Sequence, residues 1–338
     1  MDNLTRERWN AYTAGLARAN GGVDVAKKFN VTPSVQQKLE KKIQESSAFL
    51  KRINVVPVTQ QMGQKLGLGM TGPTASRTNT TGDKSRKTKD VSVLDGQNYL
   101  CSQTNFDTHI RYDKLDMWAA FPEFASMVSD MRFERCALDR QMIGFNGTHA
   151  AEDTDLAANP LLQDVNKGWL QLVREFAPER ALTEGAAGSG KIKVGGVGSD
   201  FKSLDGLVYD LANTMVDPWH IGAPDLVVLL GRDLMHSKLF PIVDGQVAPT
   251  EMLAAGLVVS QARLANMQAV AVPYFPANGL MITSFNNLSI YWQKQGRRMH
   301  VQEKPEKDRV ETYESSNDAY VVEDFGKVAM AENIEMEL

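Results

Sequence analysis

The sequence predicts a mixed α+β protein with no βαβ alternation. Three observations predict it. Helical stripes occupy the first fifty residues and return between about 123 and 215. From about residue 268 onward, short apolar and alternating runs separated by Gly, Pro and Asn read as strands. Between these regions, Thr71 to Lys89 runs TGPTASRTNTTGDKSRKTK, with no Val, Ile, Leu, Met or aromatic residue. That stretch has no apolar surface to offset the entropy of ordering.

The elements follow in order. Residues 4–19 place Trp9, Tyr12, Leu16 and Ala19 at helical spacing, and Asn20-Gly21-Gly22 ends that helix. Thr32 suits an N-cap and Pro33 a first helical position; the helix they open carries Val35, Leu39, Ile43 and Leu50 on one stripe. The first fifty residues thus read as two amphipathic helices on a flexible joint. Neither buries its stripe alone. Either both pack on the body, or they form an arm, which can be a removable one.

Val55, Val56 and Val58, then KLGLGM, give a weak strand signal. Leu100 to Tyr112 alternates: Leu100, Ser102, Thr104, Phe106, Thr108, Ile110 and Tyr112 share one face of a half-buried strand. The simplest shape for residues 55–112 is a long hairpin. Its tip would project on the order of 40 Å, taking about 12 residues at roughly 3.3 Å each. A monomer gains nothing from such an arm, whereas a subunit that must reach its neighbour does.

A long helix is predicted from about Glu123 to Phe145, with Phe124, Met127, Val128, Met131, Leu138, Met142 and Phe145 as its stripe. Another spans Leu161 to Phe176, closed by Pro178. Thr183 to Gly198 is a Gly-rich loop, and a helix covers about Leu204 to Met215. LVVLL at 226–230 is a buried strand, Gly231 opens a further helix, and Glu251 to Leu257 is a short one. The strands QAVAVPYF, GLMITSF, LSIYWQ, RRMHVQEK, RVETYE and AYVVEDF complete the chain.

A length of 338 residues suits two domains or one elaborate one. The net charge of −4 argues against a dedicated nucleic-acid binder. Cys101 and Cys136 form no metal or redox spacing and read as buried thiols of a reducing compartment. No apolar run is long enough to span a bilayer, and MDNLTRERWN is no signal peptide. His109, His149, His220, His236 and His300 show no zinc spacing, and no nucleophile elbow is present. No catalytic, cofactor-binding or metal residue is assigned.

One motif tempts. Gly185 to Lys191 matches a phosphate-binding P-loop up to its lysine, but Ile192 stands where a magnesium-holding Ser or Thr belongs, and no apolar strand precedes it. A soluble nucleotide-dependent enzyme using 185–191 is the competing reading, with an accessory virion or tail protein as a third. In the polar run, Arg77, Lys84, Arg86, Lys87 and Lys89 face one acid, Asp83, with no aromatic for base stacking. A solvated loop, or one pairing with acidic surface on an adjacent copy, suits it better than nucleic-acid contact.

Longer stretches carry a resemblance. Asn10-Ala11-Tyr12, Lys27-Lys28-Phe29, QESSAFLKRINVVPV (44–58), GFNG (144–147), NPLLQDVNKGWLQ (159–171), DLVVLLGR (225–232), EMLAA, VPYFPA (272–277), NLSIYW (287–292) and YESSNDAYVVED (313–324) occur in the order and character of one family. Along nearly its whole length the chain resembles the major capsid proteins of Peduovirus-type temperate tailed phages. The resemblance implies a Hong Kong 97-type capsid fold. Residues 1–54 would be the N-terminal arm, 55–112 the extended loop, 113–200 and 291–338 the peripheral domain with its spine helix, and 201–290 the axial domain. It implies no enzyme and no cofactor, but hexamers and pentamers of an icosahedral shell around double-stranded DNA, bound without sequence specificity. The implied partners are other copies of the chain, an internal scaffold, a maturation protease and a portal, with assembly in the bacterial host cytoplasm. It further implies a cut between Phe29 and Asn30, where the family usually shows Thr after the Phe. The released helix would grip the scaffold beforehand through Trp9, Tyr12 and Leu16. The tip residues Arg77, Asp83, Lys84, Arg86, Lys87 and Lys89 would lie over a neighbouring subunit.

Overall fold

A computed structural model describes residues 1–65, 67–70, 75–81, 85–88, 92–95, 98–235 and 263–337. The helices are α1 (Asn3–Ala19), α2 (Pro33–Ser46), α3 (Tyr112–Trp118), α4 (Phe124–Asn146), α5 (Trp169–Phe176) and α6 (Leu204–Thr214), with a further helical turn at 232–235. The predicted helix at Glu251–Leu257 lies outside the described residues.

Two sheets organise these helices. The first has seven strands, and its hub is Arg309–Val322. That strand pairs antiparallel with Leu288–Gln293 and Arg298–Lys304 in succession along one edge, and with Ser102–Asn105 and Thr108–Arg111 along the other. Asn54–Val58 extends this sheet beside Leu288–Gln293, and Phe29–Asn30 extends it beside Arg298–Lys304. The sequence suggests two strands where the hub is one, because Ser-Ser-Asn-Asp reads as a turn. Ser316 and Asp318 instead point inward as partners of a buried arginine, so the polar stretch stays extended.

The second sheet has six strands in the order Arg263–Leu264, Met267–Ala271, Val227–Leu230, Leu280–Thr283, Ala329–Ala331 and Ala181–Leu182. Its centre is buried on both faces, which is why LVVLL reads as a continuous apolar run. Val227 and Leu229 pack into one core with Trp169, Ile290 and Tyr320; Val228 and Leu230 pack into another with Leu207, Leu211 and Ile282. The helix α6 covers the second face, its start capped by Ser203, whose hydroxyl accepts from the Gly206 N–H at 3.2 Å.

Four expectations shift in detail. The α4 boundaries hold, but its buried face is turned: Met131 is 41 % exposed and Met127 and Leu138 are half-buried, while Phe133, Cys136, Ala137 and Ile143 face the core. The cause is that Arg132 and Arg140 go inward to meet buried acids. The helix predicted from Leu161 begins only at Trp169. Ahead of it, the Asp164 carboxylate accepts the Asp155 N–H and the Asn159 side chain, and Leu162 takes a positive φ of 58°. These local turns outcompete a helix. Leu50 falls past the end of α2, in a 3-10 turn. The alternating strand at 100–112 is broken twice. Cys101 and Thr104, three residues apart, are both buried, so the pleat slips at Cys101; Asp107 then interrupts the ladder by accepting the Glu314 N–H at 3.1 Å.

The N-terminal region packs on the body and does not hang free. Trp9 is 2 % exposed, seated among Ile110, Leu115, Phe124, Val128, Val301 and Val310, with Tyr12 and Leu16 half-buried beside it.

Candidate assembly surfaces

The segment around Phe29 is an edge strand. Phe29 and Asn30 pair with Met299 and Arg298. The ladder is prolonged on both sides: the Val301 N–H donates to the Val25 carbonyl at 2.9 Å and the Val31 N–H to the Arg297 carbonyl at 3.0 Å. A ring nitrogen of His300 lies 3.0 Å from the Ala26 carbonyl. Lys28 and Asn30 are exposed and Phe29 is half-buried. The bond between Phe29 and Asn30 is therefore extended and on the surface, yet held by backbone hydrogen bonds. A protease that binds its substrate as a strand would have to peel residues 25–31 from the edge.

Beyond Val58 the chain leaves the seven-stranded sheet as a two-stranded ladder. Met62–Gln64 pairs with Asn98–Leu100, and Gly67–Met70 pairs with Ser92–Asp95. Near its base, Tyr99 meets Tyr291 edge-on at 5.2 Å, and the Gln61 side chain donates to the Cys101 carbonyl at 3.2 Å. Of the predicted tip residues, Arg77, Arg86 and Lys87 are exposed, whereas Asp83, Lys84 and Lys89 lie outside the described residues.

The glycine-rich motif at 185–191 is closed by the protein itself. The Glu184 carboxylate accepts the N–H groups of Gly188 and Gly190 at 3.0 and 3.2 Å, and these two bonds hold it below the usual carboxylate range. A backbone nest that would cradle a phosphate already holds an anion. Lys191 pairs with Glu335, and Ile192 is buried in a strand beside Ile334. The nucleotide-enzyme reading loses its site.

Sequence reasoning missed a buried ion network. Arg140 of α4 donates through Nε to Asp318 at 2.9 Å and through Nη2 to the other Asp318 oxygen at 3.0 Å, and it also binds Glu40 of α2. Arg297 bridges Glu40 and Glu314, and Arg132 binds Glu314 as well as the Tyr12 hydroxyl, the latter at 3.2 Å. All six charged side chains are almost fully buried. Burial alone would push Glu314 upward, but Arg297 and Arg132 overcome it and hold it at about 2. Glu40, likewise desolvated, is held below the usual range by Arg140 and Arg297. The available signal was spacing: Arg132, Cys136 and Arg140 share a helix face, and Glu314 and Asp318 share a strand face. Burial pushes both thiols, Cys101 and Cys136, up to about 12, so neither is an activated nucleophile.

Exposed aromatics mark another surface. Tyr209 on α6 and Trp219 in the turn after it are 66 % and 51 % exposed, and Tyr209 and Ile221 line one depression of the surface. Among the described residues no helix is long and apolar enough to cross a membrane, and no cluster of three metal-ligating side chains forms.

The family model for the phage major capsid protein, P2 family, matches residues 8–334. The chain belongs to this family. It is 47 % identical over 343 residues to the capsid proteins of Escherichia phage P2, covering 99 % of this chain and 96 % of that one. It is 44 % identical to the major capsid protein of Serratia phage KSP20, covering 99 % and 97 %. Among solved structures it matches a chain of the satellite phage P4 procapsid, which includes the size determination (Sid) protein, with TM-score 0.82 and 44 % identity over 100 % of this chain and 99 % of that one. A chain from the capsid of an empty GTA particle, 16 % identical, shares the fold at TM-score 0.50 over 86 % and 90 %. The fold is the Hong Kong 97-type capsid fold that the resemblance implied, and the protein is a phage major capsid protein, a structural component of head and procapsid.

Proposed function

We propose that this P2-family capsid protein forms the hexamers and pentamers of an icosahedral head that encloses double-stranded DNA without sequence-specific contact. The observation that carries this is the full-length likeness, at TM-score 0.82, to a subunit of a procapsid shell. Repeated use of one set of surfaces by identical chains favours closed symmetry. A net charge of −4 suits a lining that touches DNA weakly at many points.

In this reading residues 113–200 and 291–338 are the peripheral domain, with α4 and the hub strand; its seven-stranded sheet also takes in Phe29–Asn30 and Asn54–Val58, and Ser102–Asn105 and Thr108–Arg111 from the far end of the loop region. Residues 201–290 form the axial domain, whose sheet also takes in Ala181–Leu182 and Ala329–Ala331. Tyr209 and Trp219 face neighbouring copies. The ladder beyond Val58 carries Arg77, Asp83, Lys84, Arg86, Lys87 and Lys89 onto acidic surface of an adjacent subunit. An internal scaffold shapes the immature shell, a phage protease cuts after Phe29, and a portal occupies one vertex. The extended, surface-lying strand at 25–31 supports the cut site.

Electron microscopy of particles tests the reading directly. Closed isometric shells are expected, and tubes or monomers alone would overturn it. Deleting Thr74 to Lys87 removes no residue of the described cores, so the subunit should melt as before while closed shells fail to form. Normal shells from that deletion would sink the bridging role of the loop. Mass spectrometry of mature particles should find a chain beginning at Asn30, whereas an intact Met1 would refute the cut.

A further inference from the structure

The bond between Phe29 and Asn30 lies in a segment whose two ends are held together by one side chain. Asn20, which ends α1, is 3 % exposed. Its amide nitrogen donates to the Leu16 carbonyl at 2.9 Å, and its amide oxygen accepts the Thr32 N–H at 3.2 Å. The same amide thus grips the last turn of α1 and the entry of α2. Gly21 and Gly22, at φ of 83° and 80°, turn the chain at once through conformations that other residues resist. Residues 21–31 therefore form a closed loop, laid along the edge of the seven-stranded sheet through Val25, Phe29, Asn30 and Val31.

The two ends of that loop are not equally firm. On the α2 side, Val31 is buried and its N–H donates to the Arg297 carbonyl, while α2 is fixed to the body through Glu40. On the α1 side, the anchor is the apolar seat of Trp9. A protease that takes its substrate as a strand needs residues on both sides of the scissile bond drawn out straight. A loop with clasped ends can straighten at most half its length, about five residues at roughly 3.3 Å each. Peeling the edge bonds is therefore not enough. One end must come away, and the end at α2 is the firmer.

We propose that α1 gates the cut: the bond after Phe29 becomes a substrate only once α1 has lifted from its seat and Asn20 has let go of Thr32. With α1 docked, a free subunit shields its own cut site, so processing waits for an event that draws α1 off the body. The use of the gate rests on the cut-site reading above, whereas the gate itself does not.

The test uses chymotrypsin, which cuts after aromatic residues, on the full-length subunit, with fragments timed by mass spectrometry. The quantity read is the rate of the cut after Phe29 relative to that after Phe176, an exposed residue at the end of α5. Asn20→Ala removes both amide bonds and should raise this ratio about tenfold, because cutting follows the population of the open form. Trp9→Ala loosens the seat and should raise it about a hundredfold. His300→Ala removes only a ring contact with the Ala26 carbonyl at the sheet edge, and should change the ratio less than about threefold. An unchanged ratio in Asn20→Ala or in Trp9→Ala would overturn the gate, including the case in which both cuts speed up together. So would an effect of His300→Ala as large as theirs, which would make the edge bonds the barrier. The cut-site reading fails separately: mature particles that retain Met1 would refute it, whatever the chymotrypsin ratios.

Discussion

The helices α1 and α2 carry the same kind of sequence signal, an amphipathic stripe, yet the molecule holds them in opposite ways. The seat of α1 is a small apolar patch around Trp9, supplemented at the surface by Arg6 with Glu303 and by Asp2 with Asp116. The seat of α2 is the main core through Ile43 and the buried ion network through Glu40, while the buried Gln36 side chain donates to the Gln293 carbonyl at 3.0 Å. Apolar contact with a wet rim can be undone without leaving a charge behind. Glu40 cannot leave without stranding two buried arginines. Patterning shows that a helix will pack; the polar groups in its interface decide whether it can ever be removed. The boundary between the two regimes falls between α1 and α2, where the cut is proposed.

The contrast can be broken from the α2 side first. Arg140→Ala strips Asp318 of its ion partner, leaves Glu40 with Arg297 alone, and should lower global stability by roughly 3–5 kcal/mol, read by urea unfolding of the isolated subunit. A loss below about 1 kcal/mol would mean the network is solvated and α2 is no firmer than α1. On the α1 side, Trp9→Ala removes a fully packed indole and should cost about 3 kcal/mol, but locally. Hydrogen exchange should speed up across residues 3–31 and stay slow in α4; uniform acceleration would show that α1 is integral to the body.

Acid sharpens the same contrast. Glu314 sits at about 2 when folded and near its ordinary 4.5 when unfolded, so its pairing stabilises fully above pH 4.5 and fades as pH falls toward 2. The loss should be on the order of 3 kcal/mol across that window. Glu314→Gln should flatten this part of the pH profile, and an unchanged slope would assign acid sensitivity elsewhere. The smallest effect is expected from Arg6→Ala at the half-exposed pair with Glu303: at most about 1 kcal/mol, vanishing at high salt. A larger, salt-insensitive loss would mean that α1 is held by charge after all.

Much of this was legible in the chain. The limits of α4, the buried strand in LVVLL and the strand LSIYWQ follow from local patterns that tertiary structure did not contradict. Ile192 was enough to doubt the P-loop, and Glu184 supplies the physical reason that no local rule contains. The ion network was not legible, because Glu40, Arg140, Arg297 and Glu314 come from four segments spread over most of the chain and meet only in space. It also explains the misjudged face of α4: a helical wheel treats arginine as a solvent marker, and here two arginines point inward.

The hub strand has a consequence in time. Every other strand of its sheet, from Phe29–Asn30 to Arg298–Lys304, is translated before Arg309–Val322 and waits for it. Contacts this distant in sequence close slowly, so the sheet closes only after the hub has been made. A half-made chain has no finished surface to offer a growing shell. The hub strand thus acts as a quality check, keeping chains truncated ahead of it out of the lattice.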